Sequence, residues 1–322
     1  MDMTNFMNDS TLIQTEAWFL PFDIISIIST SLTIILGLLY LFIVIKHKTY
    51  SSVQMLLVCN SSVAIILLSC VLLNMAIFTL QHDLQKSSEK TISFCILLGF
   101  LSSITDALQN YSYLLTAVYQ YISVVYPTKI IWRTVKTQFC LISVIWIVCI
   151  LYSLPLLLTG QITYNIDNQV CQMPLRLSLP MVFVAAIIYM IPNSGILGVY
   201  IKLTRYVQQM SSRTISNNTI FHARRELRLV QRTFVLSNTL IVLGLPYMIF
   251  VLMSFFTAPP KYHFRIAFLC GDISVLVVII IGYCFTPNMK TIIRKILSRS
   301  TPVEPMTIRF TAATYGRTIT AN

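Results

Sequence analysis

"CILLGFLSSITDALQNYSYLLTAVYQYISVVYP" occupies residues 95–127. It opens on a cysteine and carries a single charge, Asp106. It closes on a tyrosine-rich end just ahead of Lys129, Arg133 and Lys136. A helix rises 1.5 Å per residue, so about 20 mostly apolar residues cross a hydrocarbon core. This stretch therefore reads as a membrane-spanning helix over 94–122. Six further apolar runs of similar length, 19–45, 53–80, 138–159, 179–203, 230–256 and 264–285, read the same way. The whole chain agrees: 56% of its 322 residues are hydrophobic and 11% charged, against about 25% charged in soluble domains. The expected fold is an all-α membrane protein, a bundle of seven transmembrane helices.

Outward from that bundle the chain holds little. Residues 1–18 form the segment before the bundle, and the first 17 are polar without a basic leader, so the first apolar run is expected as a span and not as a signal peptide. The spanning domain is 19–285. In "TPNMKTIIRKILSRS" the apolar residues Met289, Ile292, Ile293, Ile296 and Leu297 fall at helical spacing between Lys and Arg. Residues 286–299 are thus expected as a short amphipathic eighth helix lying on an anionic lipid surface. A tail, 300–322, follows. Its Ser and Thr residues suit phosphorylation, as they suit any disordered tail.

Charge orients the bundle. Eighteen Lys and Arg lie in the 46–52, 123–137 and 202–232 segments and after residue 285; five lie on the other side. Basic residues stay cytoplasmic, so the amino terminus is expected outside, with Asn8 of Asn8-Asp9-Ser10 open to glycosylation. The net charge of +12 is then a consequence of topology. Its scatter over four segments gives no nucleic-acid surface. The triplets at Asn60, Asn110 and Asn217 fall in spans or on the cytoplasmic side and read as chance.

Six of the eight cysteines lie in or at the ends of apolar runs, where cysteine acts as a small hydrophobe. Cys95, at the outer end of the third span, and Cys171, before the fifth, stand apart. Twenty-five residues beyond Cys95 comes Tyr119-Gln120-Tyr121, with Pro127 seven residues past Gln120. Trp146 and Pro155 follow in the fourth span, Pro192 and Tyr200 in the fifth, Glu226 and Pro246 in the sixth, Tyr283 in the seventh. In this order and spacing the chain resembles the rhodopsin-like (class A) G-protein-coupled receptors.

The resemblance implies a Cys95–Cys171 disulfide, a ligand pocket at the outer end and a heterotrimeric G protein as cytoplasmic partner. It implies no cofactor, no metal and no enzymatic activity, and no hydrolase, phosphate-loop or zinc motif occurs in the sequence. Gln120 stands where the family carries the arginine of Asp-Arg-Tyr. A hydrogen bond from Gln120 to Glu226, worth about 1.5–3 kcal/mol because one partner is charged, would latch the third span to the sixth less firmly than an ion pair. Tyr119, Gln120, Tyr121, Tyr200, Glu226, Pro246 and Tyr283 form the implied switch and G-protein contact. Tyr119 and Tyr121 also suit a plain interfacial aromatic belt. Pro246, beside Gly244, is the expected hinge, although kinks occur in static bundles too. Other positions depart from the family: Leu38, Ile65, Gly244 and Ile279-Ile280 replace its asparagine, aspartate, tryptophan and Asn-Pro. Its sodium site and tryptophan toggle are therefore not expected.

Asp106 and Asp272 are intramembrane acids at similar depth, Asp106 about 16 Å below Cys95 by helical rise. Acids there face a partner or cavity. They are expected to bind a ligand or a cation together with Tyr247 and Ser102, to share one proton as a coupled pair, or else to form a hydrogen-bonded polar patch with Gln109, Asn110 and Ser103. With short outer loops, the expected ligand is a small molecule or short peptide reaching a plasma-membrane receptor. The rivals are a binding protein of the same fold that has lost coupling, and a small cation- or proton-coupled transporter.

Overall fold

Each apolar run becomes a helix because lipid offers no hydrogen bonds, so every backbone N–H and C=O must be satisfied within the chain. The computed structural model describes residues 20–47, 52–85, 92–165, 168–174, 178–212, 217–253, 256–257, 260 and 262–285. Asn8, the expected eighth helix over 286–299 and the tail lie outside the described residues, as do the side chains of Glu226 and Tyr247. The helices are α1 (Leu20–His47), α2 (Ser52–Gln85), α3 (Ile92–Val125) and α4 (Val135–Leu158). Then come α5, which runs without a break through Leu179–Ala185, Ala186–Met190 and Ile191–Ser212, α6 (Asn217–Met253) and α7 (His263–Phe285). Six are long and apolar enough to cross a membrane, and α6 makes the seventh if its two arms count as one span.

The outward surface shows which solvent the bundle meets. On α1, Ile28, Ile35 and Phe42 recur every seven residues and are 60%, 62% and 59% exposed. An apolar stripe that long is a lipid face, since a water-soluble surface does not carry it. Hydroxyl side chains inside the helices bond back to their own carbonyls: Thr30 to Ser26 at 2.7 Å, Thr33 to Ser29 at 2.8 Å and Ser69 to Ile65 at 2.8 Å. They spend their polarity locally and leave packing to shape.

α3 is the axis. It packs against α2, α4, α5 and α6, while α1 joins α2 to α7 and α6 joins α5 to α7, closing a ring. Asn60 on α2 ties three helices together, its amide donating to Ser112 Oγ at 2.8 Å and accepting from Trp146 Nε1 at 3.1 Å.

Prolines and one glycine shape the ends. α3 stops at Val125 because the residue before Pro127 avoids the helical region. α4 ends in a left-handed glycine, Gly160 at φ 64°, with Gly160 N–H bonded to Leu157 O and Gln161 N–H to Leu156 O at 3.2 and 3.1 Å. That pair satisfies two carbonyls a helix end leaves over. Within α5, residues Ala186–Met190 form a π-turn in which Ile191 N–H reaches Ala186 O. The next donor in that register, to Ile187 O, is Pro192, which has no N–H. The Tyr111 hydroxyl on α3 donates to Ile187 O instead, at 3.1 Å.

One element was not expected from the sequence, a hairpin between α4 and α5. β1 (Thr163–Asn165) pairs antiparallel with β2 (Val170–Gln172), Tyr164 opposite Cys171. Its turn holds Gln169 at φ 55° and is tied by Asn168 N–H to Asn165 Oδ1 at 3.1 Å.

Candidate functional site: the two ends of the bundle

At one end the hairpin lies over the helices as a roof. Cys171 of β2 is disulfide-bonded to Cys95 at the start of α3, with Cα atoms 5.5 Å apart. Cys171, Val170 and Ile162 are buried against Met75, Phe78 and Leu98. The approach is close enough to demand glycine at position 99, where a Cβ would stand 2.5 Å from Cys171 O. Tyr164 on the hairpin donates to Gln169 Oε1. Burial and the nearby Asp83 carboxylate push the Tyr164 phenol above its ordinary pKa.

Beneath the roof α1, α2 and α7 converge on an ion cluster. Arg265 of α7 grips Asp83 of α2 with its two terminal guanidinium nitrogens, at 2.6 and 2.7 Å, and stands 3.4 Å from Asp23 of α1. Bidentate pairing of this kind is strong and directional. Asp23 also lines a cavity of about 30 Å³ with Arg265, Asp272, Phe22 and Phe268, roofed by Val170. Asp272 is 2% exposed; Ser26 hydrogen-bonds its carboxyl, and Oδ1 meets no hydrogen-bond partner among the described residues.

The structure does not bring Asp106 and Asp272 together. Asp106 accepts a hydrogen bond from Tyr189 in the π-turn of α5, and next to it Tyr152 of α4 donates to Ser103 O at 2.6 Å. Asp272 faces α1. α7 packs chiefly on α6 and α1, and it is on α1 that Asp272 finds its hydrogen-bond partner, Ser26. Ser102 is buried and donates back to Gly99 O at 2.8 Å.

The opposite end holds the expected switch residues. Tyr119 and Gln120 are 6% and 5% exposed. They line a second cavity of about 40 Å³ with Gln54, Tyr113, Thr116 and Thr233, between α2, α3 and α6. Gln120 Oε1 has no hydrogen-bond partner among the described residues. Tyr121 and Tyr200 pack in one cluster with Val124, Leu203 and Val207. Tyr200 is stacked on Phe234 of α6, ring centres 4.6 Å apart and 7° from parallel. Tyr283 turns away from them, donating to Leu36 O of α1 at 2.7 Å with its ring edge-on to Tyr40.

α6 carries Pro246 within it, and its arms Thr233–Val242 and Gly244–Phe250 meet at 43°. Proline removes a helix bond there and glycine adds freedom to the backbone beside it. Lower on α6, Ser237 donates to Asn193 of α5. Three partners escaped sequence reading, namely Tyr189, the Asp83–Arg265 pair and Asn60. For Asn60 and Arg265 a signal existed, a polar group inside or at the edge of an apolar run.

Comparison with known proteins adds three findings. The model of the family described as "7 transmembrane receptor (rhodopsin family)" matches residues 37–287. The fold is similar to that of the crystal structure of squid rhodopsin, with TM-score 0.70, 15% sequence identity, and 87% of this chain and 80% of that chain covered. No curated protein matches the sequence.

Proposed function

The chain belongs to the rhodopsin family of seven-transmembrane receptors, multi-pass membrane proteins rather than enzymes, and we propose that it binds an extracellular ligand and activates a heterotrimeric G protein at the plasma membrane. In this reading the amino terminus and the disulfide end face outward, in agreement with the distribution of Lys and Arg. A small molecule or short peptide enters there, near Asp106, Asp272, Ser102 and Tyr247. Binding favours a second packing in which α6 swings outward. The groove so opened, edged by Tyr119, Gln120, Tyr121, Tyr200, Glu226 and Tyr283, receives the G protein.

The observation that carries this reading is the 43° bend in α6 beside Gly244 and Pro246. It lies between the stacked Tyr200–Phe234 pair and the disulfide end, so rotation at the bend would separate α6 from α3 where Gln120 is buried. The test is nucleotide exchange on G proteins in membranes bearing the chain, wild type beside Pro246→Ala, across a peptide and small-molecule library. A ligand-dependent or basal signal altered by Pro246→Ala supports the reading. Silence with every G-protein class, at confirmed surface expression, favours a binding protein of the same fold that has lost coupling. That second reading draws on Gln120 in place of arginine and Gly244 in place of tryptophan. A transporter reading would need Asp106 and Asp272 on one path, and their separate partners disfavour it.

A further inference from the structure

Among the described residues, the ion cluster under the hairpin is unbalanced. Asp23, Asp83 and Asp272 bring three carboxylates to one guanidinium, Arg265, and Arg265 is committed to the first two. Asp272 is left at the floor of the cavity, 2% exposed, with Oδ1 unpartnered among the described residues. A buried acid in a membrane bundle calls for a counter-charge or a proton. The cavity also has aromatic walls, Phe22 and Phe268, among its lining residues, and ring faces attract cations. Its volume is about 30 Å³. A single water needs roughly 10–15 Å³ by the same measure, and whole drug-sized ligands fill cavities of hundreds. The space suits one small cationic group.

We infer that this cavity between α1, α2 and α7 is a cation site, in which Asp272 and the inner edge of Asp23 bind a group of ammonium size. The cation is either the protonated amine tip of the ligand or an inorganic monovalent ion; the chemistry recognised is the same. Asp106 stands outside the site, satisfied by Tyr189. Only the ligand-tip version rests on the receptor reading above.

The experiment is thermal unfolding of the purified full chain in lipid nanodiscs at constant ionic strength. Choline chloride is replaced stepwise by methylammonium chloride, by sodium chloride or by tetramethylammonium chloride. The expected result is a saturable rise in Tm with methylammonium, with sodium, or with both, and none with tetramethylammonium, which is too large. A methylammonium response alone assigns the site to an organic amine, and a sodium response to the inorganic ion. Asp272→Asn should weaken the response at least tenfold in half-saturating concentration. Ala76→Leu, which fills the cavity from α2 and leaves the acids in place, should abolish it, and stands in if Asp272→Asn does not fold. No response to any small cation, an equal response to tetramethylammonium, or an unchanged response in either variant overturns the inference. No G protein enters this measurement, so its failure leaves the signalling proposal intact, and silent nucleotide exchange leaves the cation site intact.

Discussion

The hydroxyl of Tyr111 in α3 meets the carbonyl of Ile187 in α5 at 3.1 Å, in the place left by the N–H that Pro192 lacks. An irregular turn in one helix is thus completed by a side chain of another. Removing that hydroxyl strands a carbonyl where water is scarce, at about 1–3 kcal/mol. Tyr111→Phe should therefore lower the Tm of the purified chain, and an unchanged Tm would show that Ile187 O needs no donor.

The contact between Gly99 and the hairpin predicts a cost for the smallest possible side chain. In Gly99→Ala the new Cβ meets Cys171 O at 2.5 Å and Ile162 Cγ2 at 2.9 Å. The hairpin backbone must shift, at about 1–3 kcal/mol for an overpacked contact. The readouts are a lower Tm and faster opening of the Cys95–Cys171 bridge under mild reductant. Wild-type rates in the variant would count against a fixed roof.

Asp106 and Tyr189 act as a unit if their hydrogen bond is what holds the acid in the bundle. Tyr189→Phe and Asp106→Ala, singly and together, form a cycle whose unfolding free energies should fail to add by about 1–3 kcal/mol. Simple additivity would mean the two side chains are neighbours without a shared bond.

How much of this was legible beforehand differs by level. The spans were, to within a few residues at most ends, because a long apolar run has one solution in lipid. The order of Cys95, Pro127, Trp146, Pro192, Pro246 and Tyr283 led to the family. The rotation of each helix about its own axis was not readable. Depth follows from counting residues along a helix, and so Asp106 and Asp272 were matched in depth, whereas direction depends on which neighbour each face meets. The partner of Arg265 was hidden for the same reason: Asp83 and Asp23 are distant in sequence and meet only when the ring closes.

Gly244 offers a separation of stability from motion. A Cβ there meets nothing within 4 Å, and alanine is favoured over glycine in a helix by about 1 kcal/mol. Gly244→Ala should leave the Tm equal or higher while reducing ligand-dependent or basal nucleotide exchange severalfold. Undiminished exchange would remove the bend from the mechanism.

Gln120 permits a similar split at the other end. Its Oε1 lacks a partner among the described residues, so Gln120→Leu gives up little in the folded state and should shift stability by about 1 kcal/mol or less. If Gln120 touches the G protein in the open packing, exchange falls while Tm holds. A variant that exchanges nucleotide as the wild type does would confine Gln120 to packing.

Among the bonds that join α1 to α7, two sit at opposite ends of the bundle and act as clasps: Arg265 to Asp23 beneath the hairpin, and Tyr283 to Leu36 at the far end. α6, by contrast, is joined to α5 by Ser237 and Asn193 and is bent in its own middle. The bundle therefore divides like a machine into a stator, made of α1, α2 and α7 pinned top and bottom, and an arm made of α6 with α5. A force applied among the acids of the stator reaches the arm chiefly through α3 and the α6–α7 seam, so the tightness of those two clasps sets how much of a small push at one end arrives at the other.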